Sequence, residues 1–316
     1  MQSKVNMRTS RKPVARTRGE TSIANVWRKH KEKYLLLLPF SVIFVVFTVI
    51  PVITSIVISF TSFNMLELPT FVGFGNYINL IVNDDVFLIA VKNTLFFALI
   101  TGPISYIMCF VFSWLINELT PKVRAVMTLV FYAPSISGNA YLIWKLIFSS
   151  DMYGYSNAWL MKLGFISEPI LWFDKKEYVF PILILVQLWL SLGVSFLAFI
   201  AGLQNVDRTL YEAGQIDGIR NRWQELWFIT LPSMKPQLLF GAVMQITSSL
   251  SVSQISIELA GFPSVEYAGH TILTHLHDYG FIRYEMGYAS AIATILFFIM
   301  VFTNIIVQKA LRRVGV

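Results

Sequence analysis

Few side chains in this sequence could do chemistry, and they fall into three groups. Glu212 and Asp217 stand in a polar stretch between two apolar runs. Paired carboxylates can act as general acid and base, but no nucleophile–base arrangement accompanies these two. His270, His275 and His277 fall in a second polar stretch, the last two being only two positions apart. Metal binding would need further well-spaced ligands, and none follows, so these histidines read as a solvated loop with no metal. The third group is neutral and lies inside apolar runs: Gln187, Trp189, Ser191 and Ser195 in one, and Thr247, Ser248, Ser249, Ser251, Ser253 and Gln254 in another. Hydroxyls and amides can hydrogen-bond sugar hydroxyls, and an aromatic face can stack on a sugar ring. Small polar residues inside apolar helices equally serve as interhelix glue, and the residues alone leave both roles open. Cys109 is the only cysteine, which excludes an intramolecular disulfide. There is no G-x-x-x-x-G-K-[ST] run, so any ATP hydrolysis must occur on another chain.

The elements that must position these residues follow from composition. Of the 316 residues, 55% are apolar and 14% charged, against roughly a quarter charged in a soluble domain. Six apolar runs, 34–60, 87–116, 125–148, 179–203, 237–259 and 287–308, each suffice to cross a bilayer, which takes about 20 residues of helix. They must be helices, because isolated strands leave backbone groups unsatisfied in lipid. The expected fold is therefore all-α, with six transmembrane helices. Pro39, Pro51, Pro103 and Pro134 fall inside the runs and are tolerable where neighbouring helices satisfy the freed carbonyls.

The net charge of +7 raises the question of nucleic acid, but its distribution answers otherwise. An even number of spans puts both ends on one side. Nineteen Lys and Arg fall on that side, ten of them in residues 1–33, and four on the other. The positive-inside rule then places both termini in the cytoplasm and makes the basic excess topogenic, with no nucleic-acid role. Residues 1–33 read as a basic cytoplasmic tail, partly disordered, and 34–316 as the transmembrane domain. The apolar run after the tail is too long for a cleaved signal core. Lys92 and Lys145 lie near span ends and read as snorkelling to an interface. An ion-coupled transporter would need carboxylates or histidines at mid-membrane; the spans contain none, and Glu258 sits at an outer end.

On the basic side, 204–236 reads as a helical hairpin. Asp207 is a candidate N-cap, Gly218 a stop, Asn221 with Gln224 a second capping pair, and Pro236 suits the first turn of the fifth span. Ala213 and Gly214 would let another surface approach the backbone closely, flanked by the charges of Glu212 and Asp217. An amphipathic helix lying at the lipid interface fits the same pattern.

The run YEAGQIDGIRNRWQELWFITLPSMKP resembles the EAA loop of bacterial binding-protein-dependent importers: Glu212-Ala213-Gly214, then Asp217-Gly218, then Leu231-Pro232, with Gly214 replacing the usual second alanine. FVGFGNY (71–77), KNTLFF (92–97), the 144–148 stretch with Gly154, and MGYASA (286–291) look like the carbohydrate branch of those permeases, first-subunit type. Gly261-Phe262-Pro263 replaces the usual Gly-Gly-Pro before the last span.

The resemblance, covering about 33–313, implies a type I ABC importer permease in a bacterial cytoplasmic membrane. It would pair with a second, related permease, two ATPase subunits carrying the ATP and magnesium, and an external solute-binding protein. This chain would be no enzyme and hold no cofactor. Tyr211, Glu212, Ala213, Gly214, Asp217, Gly218, Leu231 and Pro232 would form the coupling element. The sugar pathway would draw on Trp189, Ser191, Ser195, Ser248, Ser251 and Gln254.

Overall fold

The structure is a computed structural model that describes residues 23–313. The tail expected over 1–22 lies outside the described residues. Its remaining part does not: helix α1 (Ile23–Phe44) takes in 23–33 and begins ahead of the predicted span start. Two compact units are distinguished, one up to residue 53 and one from residue 54 onward.

In the first unit, α1 leads through a π turn (Val45–Val49) into the start of α2 (Ile50–Ile58), whose last residues are counted with the second. The π turn has a local cause. Pro51 cannot donate to a carbonyl four residues back and crowds it. The ladder widens just before it, with Ile50 N–H bonding Val45 O. Lys31–Ile58 forms one span-length apolar helix, and its apolar side chains, such as Leu36 and Phe47, are exposed in the single chain.

In the second unit, a two-stranded antiparallel ribbon, β1 (Thr61–Ser62) and β2 (Thr70–Phe71), leads to α3 (Gly75–Val82). Then come α4 (Asp85–Asn117), α5 (Pro121–Ile136), α6 (Tyr141–Ile147), α7 (Tyr155–Lys162), α8 (Lys176–Leu190) and α9 (Val194–Gln204). The hairpin holds α10 (Arg208–Ile216), α11 (Arg222–Glu225) and α12 (Leu231–Ser233); α13 (Lys235–Leu250), α14 (Gln254–Ala260), α15 (Ile272–His277) and α16 (Met286–Arg313) complete the chain.

Among the described residues six segments reach span length, two of them only as sharply bent pairs. Among the described residues four helices, counting α8 with α9 as one, are long and apolar enough to cross a membrane; α5–α6 and α13–α14 reach span length as pairs bent by 83° and 40°. The first bend falls at 137–140, just past the end of α5, where Gly138 takes φ +62° and turns the chain out of the helix. The second falls at Ser251, Val252 and Ser253, where the Val252 carbonyl accepts the Thr271 hydroxyl instead of a helical N–H. The fourth span breaks lightly between α8 and α9, at 191–193.

Helix α4 lies against α9 and α13, with Cys109, Phe196, Phe199, Met234 and Leu238 buried between them. Burial from water cannot drive helices together within lipid, so close packing and interhelix hydrogen bonds carry the association. Ser113 Oγ donates to Phe196 O at 3.1 Å, Ser195 Oγ to Gly241 O at 3.2 Å, and Gln245 Nε2 to Ser191 O at 3.2 Å.

Candidate functional site

The hairpin is built by local chemistry that its sequence announces. Asp207 Oδ1 accepts the Thr209 N–H at 2.9 Å and starts α10. Its end is a Schellman motif: Gly218 takes φ +93°, Ile219 N–H bonds Gly214 O at 2.9 Å, and Gly218 N–H bonds Gln215 O at 3.3 Å. Asn221 Oδ1 caps the second arm at Gln224 N–H, 2.9 Å, and Gln224 Oε1 reaches back to Arg220 N–H, 2.8 Å. The expected capping pair forms, displaced by one residue.

Gly214 does not offer itself to an outside surface. It is buried, and a Cβ placed on it would meet Ile229 Cδ1 at 2.7 Å and Ile219 Cδ1 at 3.0 Å. The surface that approaches this backbone is the hairpin's own second arm. Glu212 and Ala213 are exposed away from that arm and Asp217 is exposed at the helix end, and among the described residues neither carboxylate has an ion pair. Tyr211 faces inward, its hydroxyl 2.9 Å from Thr230 Oγ1. Leu231 and Pro232 follow a π turn (Leu226–Thr230) whose closing bond, Leu231 N–H to Leu226 O, repeats the device seen before Pro51.

The neutral polar residues divide in two. Ser191 and Ser195 are buried and engaged: Ser195 Oγ bonds Gly241 O across to α13, whereas Ser191 Oγ bonds Leu188 O at 2.6 Å at the end of its own helix and only its carbonyl, accepting from Gln245, reaches α13. Ser248, Ser251 and Gln254 are exposed along the α13–α14 bend. Gln187 Nε2 donates to Ser248 Oγ at 3.2 Å, and Gln254 Nε2 to Tyr141 Oη at 3.1 Å. Trp189 stands nearly perpendicular to Trp144, ring centroids 5.6 Å apart. Helix α6, which the bend in the third span turns toward α14, thus adds Tyr141 and Trp144 to the set. The Trp144 Nε1–H is buried without a partner. Sequence reasoning missed both; the Tyr-x-x-Trp spacing on one helical face was the signal.

The histidines are not solvated. His270 and His275 are 3% and 2% exposed. His270 Nε2 lies 3.1 Å from His275 Nδ1, and His275 Nε2 lies 3.0 Å from Asp84 Oδ2. Both nitrogens of His275 are thereby occupied within the protein. Burial, with His275 alongside, pushes His270 down to about 4. Burial also lowers His275, with the Asp84 charge opposing. Burial raises Asp84, but the Phe87 amide, the Tyr288 hydroxyl and His275 together hold it below the ordinary carboxylate value. The predicted solvated loop is instead a tie from the cap of α4 to α15.

The other family-like motifs are joints as well. Asn93 Nδ2 donates to Tyr267 O and His270 O, both 2.9 Å, and Thr94 Oγ1 accepts Ile272 N–H at 2.8 Å. Asn76 Nδ2 donates to Ser59 O at 2.8 Å and Thr61 O at 2.9 Å. Tyr288 Oη donates to Asp84 Oδ2 at 2.9 Å.

No protein-family model matches the chain. The chain is 31% identical to the probable ABC transporter permease protein YesP of Bacillus subtilis (strain 168), over 87% of this chain and 89% of that one. It is 30% identical to the arabinooligosaccharides transport system permease protein AraP of the same organism, over 90% and 89%. With the lactose transport system permease protein LacF of Rhizobium radiobacter it shares 32%, over 72% and 75%. Among solved structures, a bacterial alginate ABC transporter in complex with an alginate pentasaccharide-bound periplasmic protein has the same fold: TM-score 0.73 at 23% identity, over 92% of this chain and 98% of that one. A helical bundle with these relatives over most of its length is a transport subunit and no enzyme: the chain belongs to the family of ABC transporter permease proteins.

Proposed function

We propose that this permease forms half of the path for a sugar or oligosaccharide across a bacterial cytoplasmic membrane, with both termini in the cytoplasm. Its partners would be a second, related permease, two ATPase subunits that hold ATP and magnesium, and an extracytoplasmic solute-binding protein. The relatives' names, which include arabinooligosaccharide and lactose systems, support the solute class. The strip formed by Trp189, Ser248, Ser251 and Gln254 with Tyr141 and Trp144 supports it too: it is neutral, rich in donors and acceptors, and has aromatic faces. A buried charge there would cost several kcal/mol without an ionic partner. Ser191 and Ser195 support the strip from behind.

The observation that carries the coupling role is the two-sidedness of α10. Its inner side, Tyr211 and Gly214, is clamped to the hairpin's second arm, while its outer side presents Glu212 and Ala213, with Asp217 exposed and unpaired at its end. An ATPase that moves this side moves both arms together, and through Leu231 and Pro232 reaches α13. Glu212→Lys reverses the charge at that position, and Gly218→Trp puts a bulky side chain where φ of +93° suits glycine alone. Both variants should assemble into the complex yet abolish ATP-driven uptake into vesicles. Normal uptake by both would rule out the docking role.

A further inference from the structure

At the hairpin end of the bundle, the last turn of α4, the first turn of α5 and both hairpin arms enclose a polar cavity of about 460 Å³. Arg124, Arg208 and Arg222 line it, together with Glu118 and Glu225. Arg222 takes both carboxylates, at 2.8 Å to Glu118 Oε2 and 2.9 Å to Glu225 Oε2. Arg124 and Arg208 are left without a counter-charge among the described residues.

Arg124 is fixed in place. Its Nη2 donates to Asn117 O at 2.8 Å and Leu119 O at 3.1 Å, while its Nε is buried with no partner. Asn117 Oδ1, on the same cavity wall, is buried and unpartnered too. A buried polar group left unsatisfied costs about 1–3 kcal/mol, so orphans on a cavity wall call for a partner supplied from outside the chain. Arg124, whose Nη2 hydrogens are spent on carbonyls but whose Nε donor is not, Arg208, whose guanidinium is free to offer two parallel N–H bonds, and an amide whose O and N ends can exchange suit a phosphate oxyanion.

The source of that phosphate follows from the aromatic wall. Trp114 lines the cavity and packs on Trp223, centroids 5.4 Å apart. Trp223 and Trp227 are exposed on the same arm. Indole rings collect at the headgroup level of a bilayer, and basic pockets at the cytoplasmic ends of spans accept anionic headgroups. We propose that this cavity binds the headgroup phosphate of an anionic glycerophospholipid. The lipid then bridges Arg208, on the hairpin, to Arg124 and Asn117, on the bundle. Two uncompensated guanidiniums favour a headgroup with net negative charge over a zwitterionic one. The binding rests on the cavity alone; its consequence for transport rests on the coupling role proposed above.

The test uses the assembled complex, delipidated in neutral detergent and titrated with phosphatidylglycerol or phosphatidylcholine, with bound lipid counted by native mass spectrometry. One saturable phosphatidylglycerol site per permease is expected, with phosphatidylcholine binding at least tenfold weaker. Arg208→Gln should weaken phosphatidylglycerol binding about tenfold at unchanged complex yield. Arg124→Lys keeps the charge but loses the Nε donor and should weaken it as well, which separates the site from a diffuse basic surface. Wild-type affinity in both variants, or equal binding of the two lipids, would overturn the proposal. Displacement by millimolar inorganic phosphate would overturn the lipid as occupant in favour of a free anion. Because the count needs no transport, Glu212→Lys should still bind lipid even where it abolishes uptake.

Discussion

Gly214 shows how one position carries both a constraint and a tolerance. Glycine inside a helix costs up to about 1 kcal/mol relative to alanine, and here the space it leaves is used by Ile229 and Ile219. The nearer contact that an added Cβ would make, 2.7 Å to Ile229 Cδ1, is with the tip of a flexible side chain. A single methyl can therefore be admitted by a small rotation. Gly214→Ala should be neutral within about 0.5 kcal/mol, the helix-propensity gain offsetting the displacement. Gly214→Leu overpacks the joint and should cost about 1–3 kcal/mol, recovered in part by a second change, Ile229→Ala. Thermal unfolding of the assembled complex measures both; a Leu variant as stable as the parent would mean that the hairpin arms are not packed as described. The small residue was legible in the sequence, but its orientation was not, because sequence spacing cannot tell a surface offered to a partner from one already used within the hairpin.

Among the elements, the Asp84–His275–His270 chain makes the tie between α4 and α15 sensitive to acid. The ordinary histidine value is 6.5, and His270 in the fold lies at about 4. The folded form therefore binds fewer protons than the unfolded form between those values, and stability rises with pH there. The tie is at full strength above about pH 6.5 and weakens as pH falls toward 4, by about 3 kcal/mol at 1.36 kcal/mol per unit. Lowered His275 acts in the same direction, and the depressed Asp84 extends the loss to lower pH. Asp278, Arg283 and Tyr279 line the same cavity, and the Asp278–Arg283 pair, 2.8 Å apart, balances its own charge. Amide exchange at Ile272–His277, corrected for its intrinsic pH dependence, should quicken between pH 7 and pH 5; unchanged protection would show that the pair does not titrate with the loop closed. Nothing in the local sequence announced this tie, since Asp84 and His275 lie far apart along the chain and polar loop residues ordinarily face water. The spans were legible as apolar runs and the hairpin as caps and stops. The bends were not, although Gly138 and the serines at 251 and 253 mark them, because an apolar run reads the same whether its helix is straight or broken.

At the scale of the molecule, those breaks decide what the pathway can be. An unbroken fifth span would carry Ser248, Ser251 and Gln254 on separate turns of one rod. The 40° bend between α13 and α14 instead exposes them together along an inner corner, and the 83° bend between α5 and α6 accompanies Tyr141 and Trp144 at the same place. The helix that enters this corner, α13, is continuous at its other end with the hairpin through Met234 and Lys235. In the proposed coupling, a push on the hairpin would reach the polar corner along α13 itself. Replacing Ser248 and Ser251 together by Leu removes two hydroxyls and adds bulk to the corner. The change should lower sugar uptake at least tenfold while complex yield falls far less, because both side chains are exposed in the single chain and the one bond lost, Gln187 Nε2 to Ser248 Oγ at 3.2 Å, is part-buried. Ser195→Leu makes the contrasting control: Ser195 is buried and bonded to Gly241 O at 3.2 Å, so its loss should reduce the amount of complex and uptake in proportion. Measuring uptake per assembled complex separates the two. If the Ser248/Ser251 variant instead lost complex in step with uptake, these serines would be joining the two permeases and the solute would pass elsewhere.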